Sequence, residues 1–503
     1  MASRKEQVSN PDFIIILSLV LVGFILLVLF QADIIPPIEL GVIAFVALTF
    51  WGVATIKVST LSLLPRLMIV LYSLPFSTTI GYLFDRDYVW WQTAQARGYI
   101  QDRQLMSQLI FVGIIGLIGL IAGMKVAGSL RLQSRPQKVV AVPARSAEQK
   151  SLKPGAFYIL LTLTVLLSWL SAPTGTIFDA VYASDTVKSI AQLINFNSAY
   201  LLSYILLVLL FIDAERERKA DSRVRRWKFI AILAVTAFIV VFLQILRGDR
   251  ESAGLIAALV SLYLTGPDFS QAAVHRASVY WRRMRKLVLP ATLILAVFIS
   301  LGAVRSRLSG SESLPFNFVD TIGSGLEQAT WTAVLLTNLG LAVEYRNQPM
   351  EYFYGSTYVD YLVSLPPGIV TTNLGIERAM EATNGPTWWY SGLSAGGIHP
   401  VVVPFKNFGA VGVFVILGIF GFLIVRWEVK QDSTFQSRLV YGAVITSSFF
   451  WFWYGDMNII RGWMAAIILG SGYRAWLFLT SQRVLTPVVI RRLAPPRNLS
   501  GTN

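Results

Sequence analysis

Long apolar runs recur along the whole chain, and they restrict its fold more than any other feature. They lie at 13–30, 38–56, 67–84, 105–126, 155–171, 193–212, 229–246, 252–266, 287–304, 408–425, 439–454 and 459–479. Each is long enough, or nearly so, to cross roughly 30 Å of hydrocarbon as a helix; the eighth, at 252–266, is short. Inside a bilayer the backbone must satisfy its own polar groups, and runs of this length do so as helices. The expected fold is therefore an all-α polytopic membrane protein with about 12 transmembrane helices. Composition agrees: the 503 residues are 54% hydrophobic and 14% charged, with a mean hydropathy of +0.59. The first run follows Arg4 and Lys5 as a signal peptide would, but it ends in "QADIIPP" without a small-residue cleavage site and reads as a retained first span.

The connections alternate in charge. One set holds Lys57 and Arg66, the basic stretch at 125–153, "ERERKADSRVRRWK", "HRASVYWRRMRK", "RWEVKQDSTFQSR" and a tail with Arg483, Arg491, Arg492 and Arg497. The other holds Asp33, "DRDYVWWQTAQARGYIQDR", Asp179 with Asp185, "RGDRE", the stretch 305–406 and "GDMN", where acids balance or outnumber bases. The positive-inside rule makes the first set cytoplasmic and leaves both termini inside. Most of the net charge of +15 is then a topology signal with attraction to anionic membrane lipid, and no nucleic acid is expected as a partner. The stretches 125–153 and 214–228 read as solvated linkers.

Four regions follow: helices 1–9 in 1–304, a large extracytoplasmic subdomain in 305–406 between helices 9 and 10, helices 10–12 in 407–480, and a basic cytoplasmic tail in 481–503. A connection of about a hundred residues with its own periodic segments is a partly helical folded unit rather than slack loop. With no cysteine and only His275 and His399, the chain lacks thiolate or His-rich metal sites; neither a metal nor a cofactor is expected.

Charged groups at the outward mouths carry the candidate chemistry. "RGDRE" places Arg247 and Arg250 between two apolar runs, and two guanidiniums so placed can grip phosphate oxygens through bidentate bonds. Asp249 and Glu251 can hold them, or the turn can keep its charges in water. Arg305 and Arg307 follow the ninth run, and Arg461 opens the last. Cations on the side that positive-inside bias disfavours suit a polyanionic ligand at the membrane surface, a lipid-linked pyrophosphate among them; snorkelling to headgroups is the competing explanation. His399, in "SGLSAGGIHPVVVPFKNFGAVG", is either a general base toward a sugar hydroxyl or a hydrogen-bonded histidine fixing the chain's re-entry into the membrane. Trp388, Trp389 and Tyr390 suit pyranose faces as well as an interfacial aromatic belt.

"ILRGDRES", "YFYGSTYVDYLVSLPPG", "GGIHPVVVPFKNFGAVGVFVI" and the Arg-Gly pair of "NIIRGW", in that order, resemble the Wzy-type O-antigen and oligosaccharide repeat-unit polymerases, relatives of the O-antigen ligases. The likeness covers chiefly 243–469; the N-terminal half agrees in hydropathy only. It implies a GT-C-like, metal-independent membrane glycosyltransferase of the bacterial inner membrane that joins undecaprenyl-pyrophosphate-linked repeat units at the outer face. Arg250 would be the family-like arginine, with Arg247, Arg305, Arg307 and Arg461 also on pyrophosphate, His399 or a nearby acid as base, and Trp388, Trp389 and Tyr390 on sugar. A chain-length regulator and a flippase would be partners. An O-antigen ligase and a polysaccharide flippase or transporter are the alternatives.

Overall fold

The computed structural model describes residues 11–56, 62–84, 103–133, 152–170, 196–217, 226–240, 252–265, 352–363, 399–431, 433–454 and 457–492. Every regular element among them is helical. In chain order these are α1 (Pro11–Gln31), α2 (Ile38–Thr55), α3 (Leu63–Ser73) running into a 3₁₀ segment (Leu74–Leu83), α4 (Arg103–Gln133), α5 (Pro154–Leu170), α6 (Phe196–Glu217), α7 (Arg226–Phe238), α8 (Ser252–Leu264), α9 (Ser356–Val363), α10 (Val402–Lys430), α11 (Phe435–Tyr454) and α12 (Met457–Arg492). The run expected at 287–304 lies outside the described residues. Four helices are long and apolar enough to cross a membrane, at Phe13–Gln31, Ile38–Thr55, Arg103–Leu130 and Val402–Lys430. Shorter apolar helices stand at Leu63–Phe76, Pro154–Ser168, Trp227–Phe238 and Ala253–Leu264.

Helix α4 is the hub of the N-terminal group. Its apolar window is 83% buried, against 17% for α1, so α4 is enclosed by protein while α1 turns Phe13, Leu17, Leu21 and Phe24 outward, as a lipid-facing helix does. Helix α2 lies beside α4 in parallel, with Gly41 over Ile110 and Gly52 over Ile121. The tightest contact is between α4 and α10, also parallel. A Cβ built on Gly119 would stand 2.4 Å from the Phe414 carbonyl oxygen, one on Gly123 1.8 Å from that of Gly418, and one on Gly421 2.1 Å from that of Leu120. The two backbones therefore touch. In lipid, where apolar side chains gain little by leaving the solvent, such small-residue seams are what hold helices together.

A second group gathers α5, α6, α8, α11 and α12. Helices α11 and α12 form an antiparallel pair, with Gly462 against Ser447 and Gln436 Nε2 donating to the Ala466 carbonyl at 2.8 Å. Gly254 of α8 sits against the Thr446 carbonyl of α11.

Helix ends assigned to the basic side by charge pack with one another. Lys125 donates to the Thr55 carbonyl at 3.0 Å, Glu428 accepts from the Leu64 N–H at 3.2 Å, and Arg438 reaches Glu215 at 2.8 Å and the Leu262 carbonyl at 3.0 Å. At the other end of the helices Arg103 pairs with Glu39, Phe30 packs on Phe111 and Phe405, and His399 meets Tyr72.

Three expectations need correction. The run 67–84 is not one α-helix: the helix begins earlier, at Leu63, and stops at Ser73, and the chain continues as 3₁₀ helix to Leu83, since Pro75 has no N–H to continue the α-helical ladder. The stretch 214–228 is not a solvated linker at its edges, because α6 runs to Glu217 and Ala214, Glu215 and Lys228 are buried. Helix α10 begins at Val402, ahead of its apolar run, and accommodates Pro404 in its first turn, where the missing N–H costs nothing. It then kinks at Gly409, whose φ of 65° a larger residue would resist.

Candidate functional site

Two of the sequence segments that carry the family resemblance meet at the end of the helices opposite the basic side. They are the turn before α9, in "YFYGST", and the first turns of α10, in "VVVPFKNFG". Asn407 joins them. Its Oδ1 accepts from the Gly355 N–H at 2.9 Å, and its Nδ2 donates to Thr357 Oγ1 at 3.1 Å and to the Val403 carbonyl of its own helix at 2.9 Å. The Phe353 N–H adds a bond to the Lys406 carbonyl at 3.3 Å. Asn407 and Thr357 are both buried. An amide is suited to this place because it offers acceptor and donor together, satisfying the backbone of a turn that no ladder serves.

The two segments also interlock sterically. A Cβ on Gly355 would lie 3.1 Å from the Phe408 ring, and one on Gly409 3.3 Å from the Tyr352 hydroxyl. The Lys406 ammonium sits 5.0 Å from the centre of the Phe353 ring, a cation–π distance.

His399 opens this segment and is fully buried. Its ring stands edge-on to Tyr72 and Phe76, with centroids 4.9 and 5.0 Å away. Nε2 is 3.0 Å from the Tyr72 carbonyl and Nδ1 accepts from the Val401 N–H at 3.3 Å, which assigns the proton to Nε2. Burial pushes the imidazole down to about 4, partly opposed by the Tyr72 carbonyl. A neutral ring with both nitrogens bonded to backbone is a strut: it ties the entry of α10 to the last turn of α3, where the helix gives way to 3₁₀. To accept a substrate proton, Nδ1 must first release Val401.

Arg461 lies in the second turn of α12 and is 9% exposed, close to buried Asn458. Arg247, Arg250, Arg305, Arg307, Trp388, Trp389 and Tyr390 lie outside the described residues. Among the described residues no group of three His, Asp or Glu side chains stands close enough to hold a metal ion.

Sequence reasoning missed Asn407, Thr357 and the Tyr72–Phe76 pocket. An uncharged amide within an otherwise apolar helix start, next to Lys406, was the available signal. It also missed a buried polar cluster at the basic end. There Asp213 accepts from the Leu152 N–H at 3.2 Å and from the Tyr473 hydroxyl at 2.5 Å, with Lys228 3.6 Å away. Lys228 donates to the Leu152 carbonyl at 3.1 Å and pairs with Glu217. The cluster clamps both sides of the Leu152 peptide and so fixes where the chain enters α5.

Comparison with protein-family models, with curated proteins and with solved structures gave no match for this chain.

Proposed function

We propose that the protein is a GT-C-like membrane glycosyltransferase of about twelve spans that polymerises undecaprenyl-pyrophosphate-linked oligosaccharide repeat units at the outer face of the bacterial inner membrane. The observation that carries this reading is the Asn407 clasp, which gathers the Tyr352–Gly355 turn and the start of α10 into one unit at the end of the helices away from the basic side. Arg247, Arg250, Arg305, Arg307 and Arg461 hold the pyrophosphates, and Trp388, Trp389 and Tyr390 meet sugar.

In the reaction, an acceptor hydroxyl oxygen on the incoming repeat unit bonds to the anomeric carbon of the growing chain. The bond from that carbon to the pyrophosphate oxygen breaks, and undecaprenyl pyrophosphate leaves with the electron pair. Preorganised guanidiniums beside the departing oxygens lower the barrier by about 3–4 kcal/mol each, or on the order of 10² to 10³ in rate. The hydroxyl proton passes to a base. With His399 committed to Tyr72 and Val401, an acid of the outward connection 305–406 takes that role more readily.

The test is an assay of the full-length protein in detergent, without added metal, on lipid-linked repeat units extracted from cells in which the gene is deleted. A polymer ladder from wild type that Arg250→Ala abolishes at equal protein abundance is the expected result. A ladder of normal length and yield from Arg250→Ala refutes the pyrophosphate grip. Lipid-linked polymer already present in the deletion strain shifts the reading to a ligase.

A further inference from the structure

The turn at 352–355 has a conformation its own residues do not favour. Tyr354 has φ 45° and Gly355 has φ 90°, two successive residues in the left-handed region. Glycine adopts that conformation freely, whereas a tyrosine crowds its Cβ against the backbone. Glycine or asparagine at 354 would make the same reversal at lower cost. The ring is therefore not there for the sake of the turn.

Nor is the ring there for the core. Tyr354 is 77% exposed, while the backbone on either side is pinned: Gly355 to Asn407, Ser356 to the Phe353 carbonyl at 2.9 Å, and Phe353 to Lys406. The Tyr352 ring stands beside it at 6.1 Å and 68°, bracing one flank. An aromatic ring held out on a rigid base, with the exposed Ser356 close by, has the form of a stacking surface with hydroxyl partners at hand. Strain retained in such a turn and paid for by the surrounding bonds is a mark of pre-organisation for a ligand.

We propose that this turn is a sugar-stacking platform on which Tyr354 offers its ring to a pyranose of the lipid-linked glycan, with Asn407 holding the turn that presents it. The inference rests on the glycosyl-transfer reading above and adds to it a glycan contact separate from the pyrophosphate grip. A membrane headgroup is the competing occupant. A glycan is favoured because an interfacial anchor needs only the depth of a ring in the headgroup layer, for which a left-handed backbone and a braced flank are unnecessary.

The experiment uses the full-length protein in detergent and two separate probes. One is the free saccharide released by mild acid from the lipid-linked material of the deletion strain; the other is undecaprenyl pyrophosphate alone. Tyr354→Gly relieves the backbone and keeps the fold, so its unfolding temperature is expected to equal or exceed that of wild type. It is nevertheless expected to weaken saccharide binding by about five- to ten-fold, while Tyr354→Trp retains it and undecaprenyl pyrophosphate binds all three proteins alike. Unchanged saccharide affinity in Tyr354→Gly overturns the platform and leaves the glycosyl-transfer reading standing. A loss confined to undecaprenyl pyrophosphate, with saccharide affinity unchanged, also overturns it and makes Tyr354 a headgroup contact. If wild type binds neither probe, the glycosyl-transfer reading fails and the platform fails with it.

Discussion

Adding one methyl group to the seam between α4 and α10 tests the packing of the molecule more sharply than removing any side chain. At Gly123 the new Cβ would stand 1.8 Å from the Gly418 carbonyl oxygen, against the 3.4 Å at which ordinary contact begins. The obstacle is backbone, so no rotamer can yield, and the helices must part by about 1.6 Å at that level. A gap of that size forfeits more than half of the dispersion well for the atoms on both sides, so Gly123→Ala is expected to cost about 2–3 kcal/mol. Gly472 of α12 provides the matched control, since a Cβ there meets nothing within 4 Å. In that helix interior Gly→Ala gains about 0.5–1 kcal/mol from backbone entropy alone. The midpoint of thermal unfolding of the purified protein in detergent, followed by intrinsic fluorescence, should fall by about 2–3 °C for Gly123→Ala and stay level or rise for Gly472→Ala. Equal unfolding temperatures for Gly123→Ala and wild type would refute the backbone contact, and an equal fall for both variants would refute the link between seam geometry and stability.

Two further perturbations bear on the buried polar groups. His399 has its folded pKa pushed down to about 4 from an ordinary value near 6.5, so between those values the unfolded chain binds the extra proton and stability falls as pH drops through the window. The loss should approach about 3 kcal/mol at pH 4, and His399→Gln should flatten that part of the curve in unfolding scans from pH 7 to 4. At the basic end, Asp213→Ala leaves the buried Lys228 with Glu217 as its one carboxylate and the Leu152 N–H and Tyr473 hydroxyl without their acceptor, and should cost about 3–5 kcal/mol. The double change Asp213→Leu with Lys228→Met removes the charge imbalance and should recover part of it in the same unfolding assay. Equal damage from the single and the double change would mean that the charges are not what the cluster balances.

Apolar runs were readable as helices because hydropathy reports the solvent, and the solvent here permits little else. The alternation of Lys and Arg likewise placed Lys125, Glu428 and Arg438 at one end, where their partners are found. Hydropathy averages over many residues, so it was blind to single ones. Pro75 ends α3 within a run whose average stays apolar, and Lys228 is buried beneath Phe157 and Trp227 although it follows "RVRR". The candidate site was less legible still. His399 drew notice as one of two histidines in the chain, but both of its nitrogen partners are backbone groups, and one lies 327 residues away at Tyr72. Asn407 stood out as an amide in an apolar helix start and no further, because its worth lies in Gly355 and Thr357, which its own position does not announce.

The seam between α4 and α10 joins parts of the chain that are made far apart in time. About 300 residues separate Gly119 from Phe414, and at 5–20 residues per second a ribosome needs roughly 15–60 s to bridge them. Throughout that interval α4 sits in the bilayer with its glycine groove facing lipid or a substitute helix. Its proper mate arrives only after everything from 134 to 401 has been synthesised. A nascent chain in that state presents an open, small-residue groove to any insertase or membrane protease that recognises unassembled helices. Survival of the newly made protein is then decided by how quickly α10 reaches α4.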